Sequence, residues 1–194
     1  MKRIFNRVII LAFSLLVMGI SASALARNDK FLDSKDAKEK DEPQAFLKNY
    51  DKLMEGSEAN WVWFAPGYKA SKYKTVKIQP FHVTGKGHWV KPAAADGPDY
   101  YDTWISKSDL DWKVVKGGAD ITLEGNIANA WEPSNAASFW GGWMANPGVC
   151  QELIGKDSKG NIVFQIRHKA RGSTVSDAVE NGIEKIVKAL EKGK

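Results

Sequence analysis

Residues 149–167 read Val149-Cys-Gln-Glu-Leu-Ile154, Gly155-Lys-Asp-Ser-Lys-Gly-Asn161, Ile162-Val-Phe-Gln-Ile-Arg167. Two runs of strand formers flank a stretch of Gly, Asp, Ser and Asn, the chemistry of a hairpin turn. Strands are therefore expected over 149–154 and 162–167. Downstream, Val175, Val179, Ile183, Ile186, Val187 and Leu190 recur at the period of a helix. Thr174 and Asp177 fit a capping box at its start. Lys185, Lys188, Lys192 and Lys194 crowd its end, where positive charge complements the helix dipole. Upstream, Ala119 to Trp131 alternates Ile121, Leu123 and, past Gly125, Ile127, which predicts a central strand.

Working towards the amino terminus, Trp112 to Val115 reads as a further strand, and Tyr101, Trp104 and Ile105 suggest a helix beginning near Asp99. Residues 84–98 (TGKGHWVKPAAADGP) have the composition of a loop. Residues 73–83 alternate Val76 and Ile78 with Lys77 and Gln79, and Pro80 places that strand at an edge or at its own end. Trp61 to Phe64 is a short strand. Pro43 suits the first turn of a helix, and Phe46, Leu47, Tyr50, Leu53 and Met54 follow on one helical face until Gly56. The order helix, two strands, helix, three or four strands, helix predicts an α/β (α+β) two-layer sandwich. Its mixed, mostly antiparallel sheet of four to six strands carries helices on one face, in a single domain over 43–194.

The first 42 residues read differently. Lys2, Arg3 and Arg7 precede an apolar run from Val8 to Ile20, and Ala24-Leu-Ala26 offers a small-residue cleavage pattern. This is the layout of a secretory signal peptide cleaved after Ala26, and the run is short for a bilayer-spanning helix. The chain carries 28 basic and 23 acidic residues, but three bases and no acids lie before Arg27, leaving a net charge of +2 from Arg27 onward. That balance lacks the electrostatic footprint of a nucleic-acid binder. Residues 27–42 are dominated by alternating charge, which suits either a flexible leader or the solvated first turns of a helix.

The stretch Phe46-Leu-Lys-Asn-Tyr50-Asp-Lys-Leu53, with Trp61, Pro66-Gly67, Tyr73, Val76 and Ile78-Gln-Pro80 after it, resembles bacterial envelope lipoproteins of uncharacterised function. The segment Ala119 to Gly125 and the strand-turn-strand before a terminal helix are similar to small periplasmic α/β domains, among them the curli-secretion lipoprotein and the amino-terminal domain of the Tol–Pal translocation protein. The resemblance implies an envelope location, the sandwich fold and a non-catalytic role. The chain departs from those lipoproteins in having no cysteine at the cleavage point, since Cys150 is its one cysteine. A periplasmic or secreted protein without a lipid anchor is expected.

A lone cysteine closes no intramolecular disulfide, and Cys150 reads as a buried structural thiol. His82, His88 and His168 show no metal-site spacing. Gly85-Lys-Gly87 lacks the Ser or Thr of a phosphate loop, and no Gly-x-Ser-x-Gly elbow is present. Asp120 and Glu124 could share a strand face, as a carboxylate pair would. No cofactor is implied.

Eight tryptophans are the compositional oddity. Trp61 and Trp63 share a strand face, while Trp104, Trp112 and Trp131 suit a core. Residues 132–148 form a loop that holds Phe139, Trp140, Trp143 and Met144 around Gly141-Gly142. These aromatics either cap one end of the sheet or form a contact for a partner, an oligomer or a membrane surface. The expected function is an exported, non-enzymatic envelope protein that works in binding or assembly, its partner an envelope protein or a glycan. A glycan- or peptidoglycan-binding module using surface tryptophans is the alternative, and a small hydrolase the third.

Overall fold

The structure is a computed structural model and describes residues 43–132 and 146–193. Its strands are β1 (Met54–Glu55), β2 (Trp61–Phe64), β3 (Thr75–Ile78), β4 (His82–Val83), β5 (Lys113–Val114), β6 (Ile121–Trp131), β7 (Gly148–Asp157) and β8 (Ile162–Arg171). Its helices are α1 (Val90–Lys107) and α2 (Val175–Lys192). The strands make one sheet in the order β1-β2-β8-β7-β6-β3-β5, with β4 also alongside β6. From β1 to β6 neighbours run antiparallel. Strands β3 and β4 lie parallel to β6, and β5 parallel to β3. A parallel pair needs a long crossover, and α1 supplies it between β4 and β6.

This is the two-layer α/β arrangement expected, with eight strands in place of four to six. The strand expected over 112–115 is β5, the one expected over 73–83 is divided into β3 and β4, and β1 is new; β1, β4 and β5 have two residues each. Both helices pack on one sheet face. Ile121, Leu123 and Ile127 of β6, Val149 and Leu153 of β7, and Phe164 and Ile166 of β8 meet Tyr101 and Ile105 of α1 and Val179, Ile183, Ile186 and Leu190 of α2. At its start α2 has the capping box that Thr174 and Asp177 implied: the Thr174 hydroxyl accepts from Asp177 N at 3.0 Å, and the Asp177 carboxylate accepts from Thr174 N at 3.2 Å. Such a cap contributes about 1 kcal/mol.

The helix expected over 43–55 does not form. Only Tyr50–Lys52 takes a single 3-10 turn, and Met54 passes into β1. Leu47, Tyr50 and Leu53 are buried, as a helical face would be, but Met54 is 66% exposed. The backbone N–H groups of Phe46 and Leu47 donate to the Tyr50 hydroxyl, both at 3.2 Å, and that hydroxyl donates to Glu152, 102 residues away. A distant strand thus supplies what the local periodicity promised, and tertiary bonding overrides propensity.

The loop expected over 84–98 gives way to α1, which starts at Val90, nine residues before Asp99. Pro98 lies inside it and supplies no N–H for the helix ladder. The Ala93-Ala-Ala95 run, with the best helix former, and a buried face of Val90, Ala93, Ala94, Gly97, Tyr101 and Ile105 outweigh that loss. Pro80 acts as expected: β3 ends at Ile78, and β4 resumes beside β6 only at His82.

Between those two strands Phe81 turns into the helix–sheet seam. A Cβ on Gly125 would lie 2.3 Å from the Phe81 ring, and one on Gly97 2.5 Å from it. The two glycines therefore define a slot in which Phe81 wedges α1 against β6. Gly125→Val is expected to evict the ring and cost about 1–3 kcal/mol, read as a lower urea midpoint at unchanged slope; an unchanged midpoint would show that the slot is loose.

Candidate functional site

The register aligns Asn126 of β6, Glu152 of β7, Arg167 of β8 and Trp61 of β2 in one row across the sheet. Side chains alternate faces along a strand. Because Ile127, Leu153, Ile166 and Val62 pack toward the helices, this row points to the opposite face. There it meets residues 43–53, which run over the sheet as a strap. Asn126, Glu152, Gln165 and Arg167 are each at most 1% exposed.

The bonds converge on Glu152. Its Oε1 accepts from the Tyr50 hydroxyl at 2.8 Å and from the Arg167 guanidinium, and its Oε2 accepts from Asn126 Nδ2 at 2.8 Å. Asn126 Nδ2 also donates to Thr84 Oγ1 at 2.8 Å. Arg167 lies 5.9 Å from the centre of the Tyr50 ring, within cation–π range. One step along β8, Gln165 Oε1 accepts from the strap's Lys48 N at 2.7 Å. Burial, and then the Glu152 carboxylate, push the Tyr50 phenol well above its ordinary pKa, so it stays protonated and donates. Among the described residues Asn126 Oδ1 and Gln165 Nε2 are buried without a partner; each leaves a desolvation penalty of about 1–3 kcal/mol. Sequence reading missed this cluster. Its signal was a glutamate inside one expected strand and an arginine at the end of the next, where burial demands a partner.

A second polar contact ties β2 to β8. His168 Nδ1 accepts from Asn60 N at 3.1 Å, and Asn60 Oδ1 accepts from Lys169 N at 2.8 Å. Burial, with Lys185 adding to it, pushes the His168 imidazole down to about 4, so it is a neutral acceptor at neutral pH. Glu58 pairs with Lys185 and Lys192.

The residues singled out from sequence are dispersed. His82 rests by the Phe46 ring at 5.4 Å and His88 by Trp89 at 5.1 Å. No group of three or more potential metal ligands occurs among the described residues. Asp120 and Glu124 do not act as a pair. Asp120 accepts from Lys74 N and Thr75 N at 2.8 and 2.9 Å, and Glu124 pairs with Lys156 at 2.6 Å. Cys150 is fully buried. Trp112 is core and bonds to the Ala70 carbonyl at 3.0 Å. Trp104 is half-buried against the core, and half-buried Trp131 has the Arg171 guanidinium over its ring at 5.5 Å. Trp61 and Trp63 are half-buried opposite Arg167 and Gln165, so they share the face of the polar cluster.

Phe139, Trp140, Trp143 and Met144 lie outside the described residues, as does the Ala26 cleavage point. No described helix is long and apolar enough to cross a membrane. A hollow of about 440 Å³ at the far end of the sheet is lined by Lys69, Lys74, Asp109, Asp111 and Glu191. Lys74 already pairs with Asp111 at 2.7 Å, and Glu191 accepts from Asp109 N at 2.9 Å.

No family model matches the chain, and no curated protein matches it. Among solved structures it is similar to the PelC dodecamer from Paraburkholderia phytofirmans, in two crystal forms. The TM-score is 0.51 for the hexagonal form and 0.50 for the monoclinic form, a single-substitution variant. Each match has 15% identity and covers 66% of this chain and 97% of that one. Likeness at this identity shows the fold alone.

Proposed function

We propose that the chain is an exported, non-enzymatic cell-envelope protein that works as a binding or assembly component. The observation that carries this reading is how Glu152, Arg167 and Tyr50 are used. They are the acid, cation and phenol a catalyst would recruit, yet they lie at most 1% exposed, with both Glu152 oxygens engaged inside the fold. They fasten the strap to the sheet. The fold is shared with a chain whose solved structures are dodecamers, which favours assembly as the mode of action. The envelope location rests on the signal-like residues 1–26 and on the resemblance of residues 46–80 to envelope lipoproteins. A glycan-binding module is the second reading, favoured by Trp61 and Trp63 sharing the sheet face opposite the helices.

Expressed with its own leader in a Gram-negative host, the chain is expected in the periplasmic fraction with Arg27 as its first residue. The purified product should scatter light as an oligomer. Trp140→Ala with Trp143→Ala tests the loop as the contact: association is lost and the melting temperature holds within a few degrees. Residues 1–26 retained in a membrane pellet would refute export, and a monomer at tens of micromolar would refute assembly. Retention on purified peptidoglycan would move the reading to the glycan module.

A further inference from the structure

The strap is an unusual cover. In a sheet with one layer of helices, a permanent cover on the other face is most stable when apolar, because a buried ion pair rarely outperforms well-packed hydrophobic residues of similar volume. Here the covered face presents Asn126, Glu152, Gln165 and Arg167. The strap answers with a pattern of three anchors: Leu47, Tyr50 and Leu53, each buried and each three residues from the next. The Tyr50 hydroxyl meets Glu152, the Tyr50 ring lies beside Arg167, and the Lys48 N–H meets Gln165. That is the recognition chemistry of a peptide-docking site, with its peptide already in place.

Three features make this peptide separable. Its own regular structure is one 3-10 turn, so lifting it breaks no helix and no strand ladder. It joins the rest of the fold through β1, the outermost strand of its edge. Its seating leaves Asn126 Oδ1 and Gln165 Nε2 without partners among the described residues, so the fit is incomplete. The geometry points to a site for the segment Leu47-x-x-Tyr50-x-x-Leu53 that is filled within one chain or by the same segment of a second copy. Exchange of an identical element costs little, because each copy recovers from its neighbour the same bonds that it gives up. This rests on the assembly reading and names its device: the Tyr50 of a second copy completes the cluster of Asn126, Glu152 and Arg167.

The test uses a labelled synthetic peptide of residues 43–53 and the full mature chain. The peptide is expected to bind a Tyr50→Ala chain at least about tenfold tighter than the wild-type chain, whose own strap competes. A peptide carrying Tyr50→Phe, which keeps the ring and loses the hydroxyl, should bind about tenfold more weakly. Circular dichroism checks that the Tyr50→Ala chain is folded; if it is not, the Tyr50→Phe chain serves as acceptor with the same order of affinities. Excess wild-type peptide should then lower the mass of the wild-type oligomer in light scattering. Equal binding to both chains, no binding, or indifference to the hydroxyl overturns the docking site. Oligomers that persist with peptide bound overturn the exchange and leave the assembly reading standing, whereas a chain monomeric throughout removes both.

Discussion

Arg167→Ala will cost the fold about 3–5 kcal/mol, because it strands Glu152 as a charge in a site that is at most 1% exposed. The guanidinium is the cation bonded to that carboxylate; the Tyr50 hydroxyl and the Asn126 amide also donate to it but carry no charge. Urea unfolding followed by tryptophan fluorescence measures the loss. The informative partner is the double change Glu152→Leu with Arg167→Met, which removes both charges and keeps most of the volume. It should recover most of the stability, leaving the smaller cost of a Tyr50 hydroxyl and an Asn126 amide deprived of their acceptor. A single variant as stable as wild type would mean that the pair is solvated in solution and the strap is not seated.

Acid will weaken the protein before its carboxylates titrate. The His168 imidazole has a folded pKa of about 4 against an ordinary value of 6.5. Between those values the unfolded chain takes up a proton that the folded chain refuses, so stability falls as pH falls and is fully present above the ordinary value. At 1.36 kcal/mol per pKa unit the whole window amounts to about 3 kcal/mol. His168→Asn places an amide oxygen near the Nδ1 position, keeps an acceptor for Asn60 N and cannot be protonated. It should flatten stability between pH 6.5 and about 4. The loss below the ordinary aspartate value of 3.8 remains, because hydrogen bonds hold the folded Asp120, Asp157 and Asp177 carboxyls below it. Identical pH profiles for variant and wild type would remove His168 as the cause.

The long elements were legible because their own residues carry the pattern. Strand β6 opens on an alternation, β7 and β8 are runs of strand formers about a turn, and α2 combines a periodic face with a cap. The strap was illegible for the opposite reason. Leu47, Tyr50 and Leu53 are spaced as a helix would space them, and what keeps them from closing one is Glu152, whose position over the strap depends on the register of β7. The start of α1 was hidden by Gly97 and Pro98, which are turn signals in isolation. Gly97 is the slot for Phe81, a requirement visible only when strand and helix are together. The polar cluster has the same origin: Asn126, Glu152 and Arg167 lie on three different strands and become neighbours only through two strand registers.

The sheet order also sets a timetable. Strand β2 pairs with β8, and β4 with β6, while the three long strands at the centre all come from residues 121–171. A ribosome delivers this molecule edge first. The strap and β4 emerge before the strands they pack on, β2 emerges with only the two-residue β1 beside it, and the tyrosine waits 102 residues for its carboxylate. The sheet therefore closes only when the last third of the chain arrives.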